Sequence, residues 1–245
     1  MTLTLNDLTG GYTAIPVIKN VSFQIKAGQL TGLIGLNGAG KSTTIKHIIG
    51  LLTPFSGSVT INNNQLKADS ETYRKQFTFV PETPVLYEEL TLREHIEVTA
   101  LAYDIPYEEA MQKAERYIKA FRLEAKMDWF PAYFSKGMKQ KVMLVCAFMV
   151  DVPLYVIDEP FLGLDPLGIH TFLDIIKEKK AAGAAILMST HVLSSAEREC
   201  DDFVLLHEGE VKVAGTLADL QDNMKMPGAT LDDLYIQLTK EETGL

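Results

Sequence analysis

Apolar and polar residues alternate at the start of the chain. Leu3-Thr4-Leu5 and Val21-Ser22-Phe23-Gln24-Ile25 have the two-residue period of half-buried strands, and Gly10-Gly11 reads as the turn between them. Gln29 to Ile34 is a more continuous apolar run leading into a glycine-rich stretch. From Thr43 to Leu51 the spacing becomes helical. Ser58-Val59-Thr60-Ile61 returns to a strand pattern closed by Asn62-Asn63-Asn64, and Phe77-Thr78-Phe79-Val80 is a further predicted strand.

The pattern is then helical from Thr91 to about Leu123, broken at Pro106, and again from Lys136 to Val150. Leu154-Tyr155-Val156-Ile157, bounded by Pro153 and Asp158, is a continuous apolar run that suits a strand buried on both faces. A helix over about Leu167 to Ala182 and a buried strand over Ala185 to Met188 follow. Phe203 to Leu206 and Glu210 to Ala214 read as a hairpin through Glu208-Gly209. Leu217 to Asn223 and Leu231 to Leu238 read as closing helices. Strands alternating with helices imply a largely parallel central sheet, hence an α/β fold. The expected organisation is one domain over residues 1–245. A β portion and core occupy about 1–84 and 151–220, a helical subdomain about 85–150, and a C-terminal helical tail about 221–245.

Composition narrows the function classes. Hydrophobic residues make up 47% of the chain, enough for a substantial core. The formal net charge is −9, with lysine and arginine scattered, so a nucleic acid backbone is not an expected partner. The two cysteines, Cys146 and Cys200, are far apart and suit packing in a reduced compartment better than a disulfide or a zinc site. The start lacks the basic-then-apolar pattern of a signal peptide. The longest apolar run, Val142 to Val150, is far short of the roughly 20 residues that span a bilayer. Membrane association would therefore have to come through a partner.

The chemistry starts at Gly35-Leu36-Asn37-Gly38-Ala39-Gly40-Lys41-Ser42, which fits G-x-x-x-x-G-K-S/T between a predicted strand and a predicted helix. Such a loop turns successive backbone N–H groups toward one point, next to a helix N-terminus, and so holds polyphosphate. Gly35, Asn37, Gly38, Gly40, Lys41, Ser42 and Thr43 are the candidate phosphate-binding residues. Lys41 is expected to reach the β- and γ-phosphates, and Ser42 to ligate Mg²⁺. The bound molecule is expected to be Mg-ATP. A second acidic site ends the run Leu154 to Ile157. There Asp158 is placed to hold Mg²⁺ through water, and Glu159 to accept a proton from the attacking water. An apolar strand followed by Asp-Glu is common by itself and gains meaning from the loop. Of five histidines, His47, His95, His170 and His207 receive no role. His191 differs because it lies just past the C-terminal end of a predicted central strand, where open α/β sheets bind ligands.

These segments, in this order, resemble the ATPase subunits of ABC transporters. Phe134-Ser135-Lys136-Gly137-Met138-Lys139-Gln140 resembles that family's signature, usually Leu-Ser-Gly-Gly-Gln. Ser135 and Gly137 match, whereas Phe134, Lys136 and Met138 depart from it. The resemblance implies a P-loop NTPase fold with a RecA-like core, an N-terminal antiparallel β portion and an inserted helical subdomain. It further implies a head-to-tail homodimer in which Ser135 and Gly137 meet the γ-phosphate held by the partner subunit. Phe161-Leu162-Gly163-Leu164-Asp165 resembles the D-loop, with Asp165 at the seam. His191 resembles the switch histidine, and Tyr12 the aromatic that stacks on adenine, although alone Tyr12 is an ordinary turn tyrosine.

Where the family has a glutamine that touches Mg²⁺ and links the site to the membrane subunit, this chain has Glu82, in Phe79-Val80-Pro81-Glu82-Thr83-Pro84. Glu82 is expected to keep the metal contact and the coupling role. The alternative is a surface acid in a loop. The stretch from Val80 to Leu92, with Phe134 to Lys141, is most similar to the ATPase subunit of the Ecs-type transporters of Gram-positive bacteria. This implies a separate integral membrane permease, an export-type system, and a location on the cytoplasmic face of the bacterial membrane. Two other readings stay open at this level: an ABC ATPase that works outside transport, and a module that binds ATP as a regulatory signal.

Overall fold

The computed structural model describes residues 2–243. Met1, Gly244 and Leu245, which the single-domain expectation also covers, lie outside the described residues. In chain order the elements are β1 (Leu3–Gly10), β2 (Ile18–Ile25), β3 (Leu30–Ile34), α1 (Lys41–Ile48), β4 (Ser56–Ile61), α2 (Ser70–Arg74), β5 (Phe77–Val80), α3 (Leu92–Ala102), α4 (Tyr107–Ala120), α5 (Lys136–Phe148), β6 (Leu154–Asp158), α6 (Pro166–Ala181), β7 (Ala185–Thr190), α7 (Leu193–Glu199), β8 (Asp202–His207), β9 (Glu210–Gly215), α8 (Leu217–Asn223) and α9 (Leu231–Thr243). Two short 3-10 turns, Glu124–Lys126 and Pro131–Tyr133, lead into α5.

The alternating strands and the continuous apolar strands go to different sheets. β1 lies between β2 and β4 in an antiparallel sheet of three strands. The other sheet has six strands in the order β5-β6-β7-β3-β8-β9. All neighbours in it are parallel except the β8–β9 hairpin. β3, β6 and β7 are buried along their whole length, which is why they carry no polar alternation. Parallel pairing brings the C-terminal ends of β5, β6, β7 and β3 to one edge of this sheet, where the loops can build a site.

Local chemistry fixes the boundaries. Thr91 and Glu94 form a reciprocal capping box at the start of α3. Pro106 ends the preceding turn and precedes α4. Asn62 and Asn63 take φ of 46° and 67° after β4, a backbone region that asparagine tolerates. Gly10 departs from the expected turn. It is the last residue of β1, pairs with Ile18 and accepts from the Val17 N–H, so the reversal is made by the residues after it. α1 begins at Lys41 rather than Thr43, because the last glycine of the loop is already its N-cap. α2 and α7, five and seven residues long, had no expectation; helices this short carry too little periodicity to announce themselves.

The inserted helices share a core with the central sheet. Phe148 of α5 meets Tyr117 of α4, Tyr155 of β6 and Phe172 of α6, with ring centroids 6.2, 5.5 and 6.1 Å away. The opposite face of the sheet packs with α1 against Leu3, Leu5 and Phe23 of the antiparallel sheet. α7, α8 and α9 cover Ile34, Phe203 and Leu205. Cys146 and Cys200 are free thiols, each pushed up to about 12 by burial, which leaves them packing roles. Among the described residues no helix is long and apolar enough to cross a membrane.

Phe148 joins α4, α5, α6 and β6 at one point. We expect Phe148→Ala to lower unfolding free energy by about 3–5 kcal/mol in urea denaturation. A loss under about 1 kcal/mol would show that the insertion does not depend on this contact.

Candidate active site

The glycine-rich loop leaves β3 and folds back on itself before α1. Ala39 N–H donates to Leu36 O at 3.0 Å, and Gly209 N–H, from the β8–β9 turn, donates to Ala39 O at 3.0 Å. Gly40 takes φ 106°, and a Cβ there would lie 2.8 Å from Ile18 Cγ2, so both backbone and space require glycine. Lys41 is 7% exposed, and its Nζ donates to Gly35 O at 2.7 Å and to Leu36 O at 3.4 Å. The ammonium thus rests on the carbonyls of its own loop. Asn37, Gly38 and Ser42 are exposed around it, and Thr43 is buried one residue into the helix.

β6 and β7 bring the acidic groups to the same edge. Asp158 pairs in register with Ser189, and Ile34 with Thr190. Ser189 is fully buried. Its hydroxyl donates to Asp158 Oδ1 and accepts from Glu159 N–H at 3.2 Å. Glu159 is 7% exposed and has φ 48°, a left-handed conformation that costs a non-glycine residue about 1–2 kcal/mol. That turn brings one carboxylate oxygen, Oε1, to 4.0 Å from Lys41 Nζ and the other, Oε2, to 2.9 Å from His191 Nδ1. Lys41, Glu159 and His191 therefore form one chain of contacts, with Asp158 fixed beside it.

Burial depresses the Lys41 ammonium below the usual lysine range, and the negative charges of Glu159, Asp158 and Glu82, in that order, oppose the shift. Glu82, two residues past β5, is thus within electrostatic reach of Lys41 although it is exposed. A single ammonium faces three carboxylates here. Among the described residues no cluster of three or more His, Cys, Asp or Glu could hold a metal alone. The oxygen donors of Ser42, Asp158 and Glu82 nevertheless fit a hard cation such as Mg²⁺, which takes one or two carboxylates and completes its shell from phosphate and water.

The remaining candidates form two further groups. Tyr12 is 56% exposed, accepts from Lys46 Nζ at 3.1 Å and has that ammonium 4.9 Å from its ring centroid. The Thr43 hydroxyl and then the Lys46 charge hold its phenol below the ordinary range against burial, so it is tied to α1. Ser135 caps α5 by accepting from Met138 N–H at 3.3 Å. Asp165 caps α6 by accepting from Gly168 N–H at 3.0 Å, and it pairs with Lys141 of α5 at 3.0 Å. A Cβ on Gly137 would lie 2.4 Å from Gly163 O, so α5 and the loop before α6 touch backbone to backbone. The contacts of Ser135, Gly137 and Asp165 run within this α5–α6 region.

Two residues of this arrangement had no sequence expectation. Ser189 could have been flagged as a polar residue at the end of an otherwise apolar central strand. Lys46, one helical turn past Ser42, carries no such signal, because an exposed-face lysine is ordinary.

The family profile described as ABC transporter matches residues 18–162. The ABC-type transporter ATP-binding protein EcsA of Bacillus subtilis (strain 168) is 57% identical over 242 residues, 99% of this chain and 98% of that protein. A solved structure of an ATP-binding subunit of an ABC transporter is 56% identical, with a TM-score of 0.95, covering 98% of this chain and 100% of that one. A dimeric ATP-binding cassette in a post-hydrolysis state, bound to ADP and Pi, is 26% identical, with a TM-score of 0.79, covering 88% and 98%.

Lys41 shows the tension between stability and site. Its folded pKa lies below the unfolded one, so the unfolded chain holds that proton more tightly. The corresponding stability is present above the usual lysine pKa and is lost as pH falls through the depressed value. At neutral pH the buried charge is therefore a cost. Lys41→Met is expected to abolish ATP binding while leaving the nucleotide-free chain folded at pH 7. Thermal unfolding and a nucleotide titration read the two effects, and retained ATP binding would contradict the role of this cation.

Proposed function

The chain belongs to the ABC transporter family, as an ATP-binding subunit that hydrolyses ATP, and on that premise we propose how its residues divide the work. The observation that carries the proposal is the Lys41–Glu159–His191 contact chain at the C-terminal edge of the parallel sheet. Backbone N–H groups from Asn37 to Ser42 and the start of α1 receive the phosphates, and Thr43 supports them. Lys41 leaves the carbonyls of Gly35 and Leu36 for the β- and γ-phosphates. Tyr12 offers its ring to adenine, with Lys46 fixing the hydroxyl.

Glu159 accepts a proton from the water that attacks the γ-phosphorus, while ADP departs with the electron pair of the broken P–O bond. His191 meets one Glu159 oxygen at Nδ1 in the nucleotide-free chain and contacts the γ-phosphate when ATP is bound. Mg²⁺ would be held by Ser42, Asp158 and Glu82, and would offset charge on the phosphoryl group. Ser189 fixes the Asp158 carboxylate and the Glu159 peptide against each other. The protein's contribution is positioning and electrostatics, the terms on which phosphoryl transfer depends.

Ser135 and Gly137 serve the γ-phosphate of a second copy, bound head to tail, and Asp165 lies at the seam. Support comes from the contacts of these residues, which run within the α5–α6 region, and from the dimeric relative. ATP closes the dimer, and closure moves a separate membrane permease, through which the subunit sits on the cytoplasmic face of the membrane. Val85 and Tyr87, exposed and apolar just past Glu82, are the contact we assign to that permease. The division of the single domain follows the same logic: the sheets, with about 1–84 and 151–220, hold nucleotide. The helices of about 85–150 present Ser135 and Gly137, and the tail from about 221 braces the core. An export-type system fits the resemblance to Ecs-type subunits. The intact set of Lys41, Asp158, Glu159 and His191 weighs against a purely regulatory reading.

Glu159→Gln keeps the shape of the side chain and loses the base. We expect ATP binding within about twofold of the parent chain and a kcat lower by about 10²–10⁴-fold. Unchanged turnover would remove Glu159 from the mechanism.

A further inference from the structure

α9, near the end of the chain, reaches the phosphate loop. Tyr235 is 4% exposed, and its hydroxyl oxygen accepts from Leu36 N–H at 2.7 Å. Leu36 is the second residue of the loop, and its own side chain is 57% exposed. Its carbonyl faces inward, accepting from Ala39 N–H at 3.0 Å and lying 3.4 Å from Lys41 Nζ. One peptide unit is thus held at its nitrogen by the phenol and at the next carbonyl by the loop and its lysine.

The anchor behind the phenol is rigid. Tyr235 packs in one cluster with Ile34, Phe203, Leu205, Leu231 and Leu234, which includes the last residue of the strand that carries the loop. The edge of its ring meets His207, with centroids 6.5 Å apart and planes at 68°. His207 immediately precedes the turn whose Gly209 N–H holds Ala39 O. At the start of α9, Leu231 N–H donates to Glu197 Oε2 at 2.6 Å. Glu197 belongs to α7, which begins two residues after His191. α9 therefore touches both the phosphate loop and the helix that follows the histidine.

We propose that α9 is a strap on the nucleotide site and that Tyr235 is its positioning residue, setting the Leu36 peptide so that the loop is preformed for phosphate. When ATP draws Lys41 off the loop carbonyls, the Leu36 carbonyl loses one of its partners. The phenol is what then keeps the peptide from turning. Without the hydroxyl the loop must be ordered at each binding event, so the loss falls on affinity and not on the chemical step.

The inference rests on the reading of Gly35 to Ser42 as the ATP site. The test uses the full chain with Mg-ATP and Mg-ADP, comparing the parent, Tyr235→Phe and Lys41→Ala. Tyr235→Phe keeps the ring and removes the acceptor. Its Kd for both nucleotides, and its KM for ATP, are expected to rise about tenfold, with kcat within about twofold. A packing role alone would lower thermal stability and leave Kd unmoved. Unchanged Kd and KM in Tyr235→Phe, beside lost binding in Lys41→Ala, would overturn the role of Tyr235 and leave the loop's role standing. Normal binding in Lys41→Ala would overturn the reading of the loop, and this inference with it. Hydrogen exchange on the parent chain needs no variant: the Leu36 amide should exchange at least about tenfold more slowly than a free loop amide. Free exchange there would overturn the proposal whether or not the variant folds.

Discussion

One buried ammonium holds the site together. Lys41 is out of water, beneath the loop that carries it, and faces Glu159, Asp158 and Glu82. Alone, such a charge would not persist at neutral pH without a large penalty. Its hydrogen bonds to Gly35 O and Leu36 O and its attraction to the carboxylates offset that penalty. These partners are also temporary. Each contact Lys41 makes in the nucleotide-free chain is one that phosphate oxygens can take over, and the carboxylates it leaves behind are of the type that receives Mg²⁺. The strained φ of Glu159 belongs to the same arrangement, since it turns the carboxylate toward Lys41 and His191 instead of along the strand.

The parallel sheet makes this arrangement possible. Its strands end together, so residues far apart in sequence arrive at one edge without a long loop. The register of β6 against β7 adds Ser189, which ties the Asp158 side chain to the Glu159 backbone. The α5–α6 region is built differently. Gly137 against Gly163 and Lys141 against Asp165 bind the signature-like turn to the D-loop-like turn within one chain. Any displacement of one is felt by the other, which suits the proposal that both segments meet one partner subunit.

The sequence was most legible where chemistry and periodicity coincide. The loop Gly35–Ser42, the strand ending in Asp158 and the strand leading to His191 each combine a buried apolar run with a change to polar residues, and each sits where that pattern put it. The helix break at Pro106 and the hairpin at Glu208-Gly209 were equally plain, because a proline and a glycine mark them. Gly10 misled because glycine marks both turns and strand ends. Tertiary contacts were not legible. Nothing in the spacing shows that Phe148 joins α5 to three other elements. Nor does it show that Lys46 lies over Tyr12, or that a tyrosine two hundred residues along the chain would accept from the phosphate loop. Those depend on which surfaces the sheet order brings together.

The composite site is the central claim, and turnover per chain measured against subunit concentration tests it most directly. If Ser135 and Gly137 of a second copy complete the site at Lys41 and Glu159, specific ATPase activity must rise with concentration and level off once the dimer is saturated. The same turnover per chain from the most dilute to the most concentrated sample would contradict it.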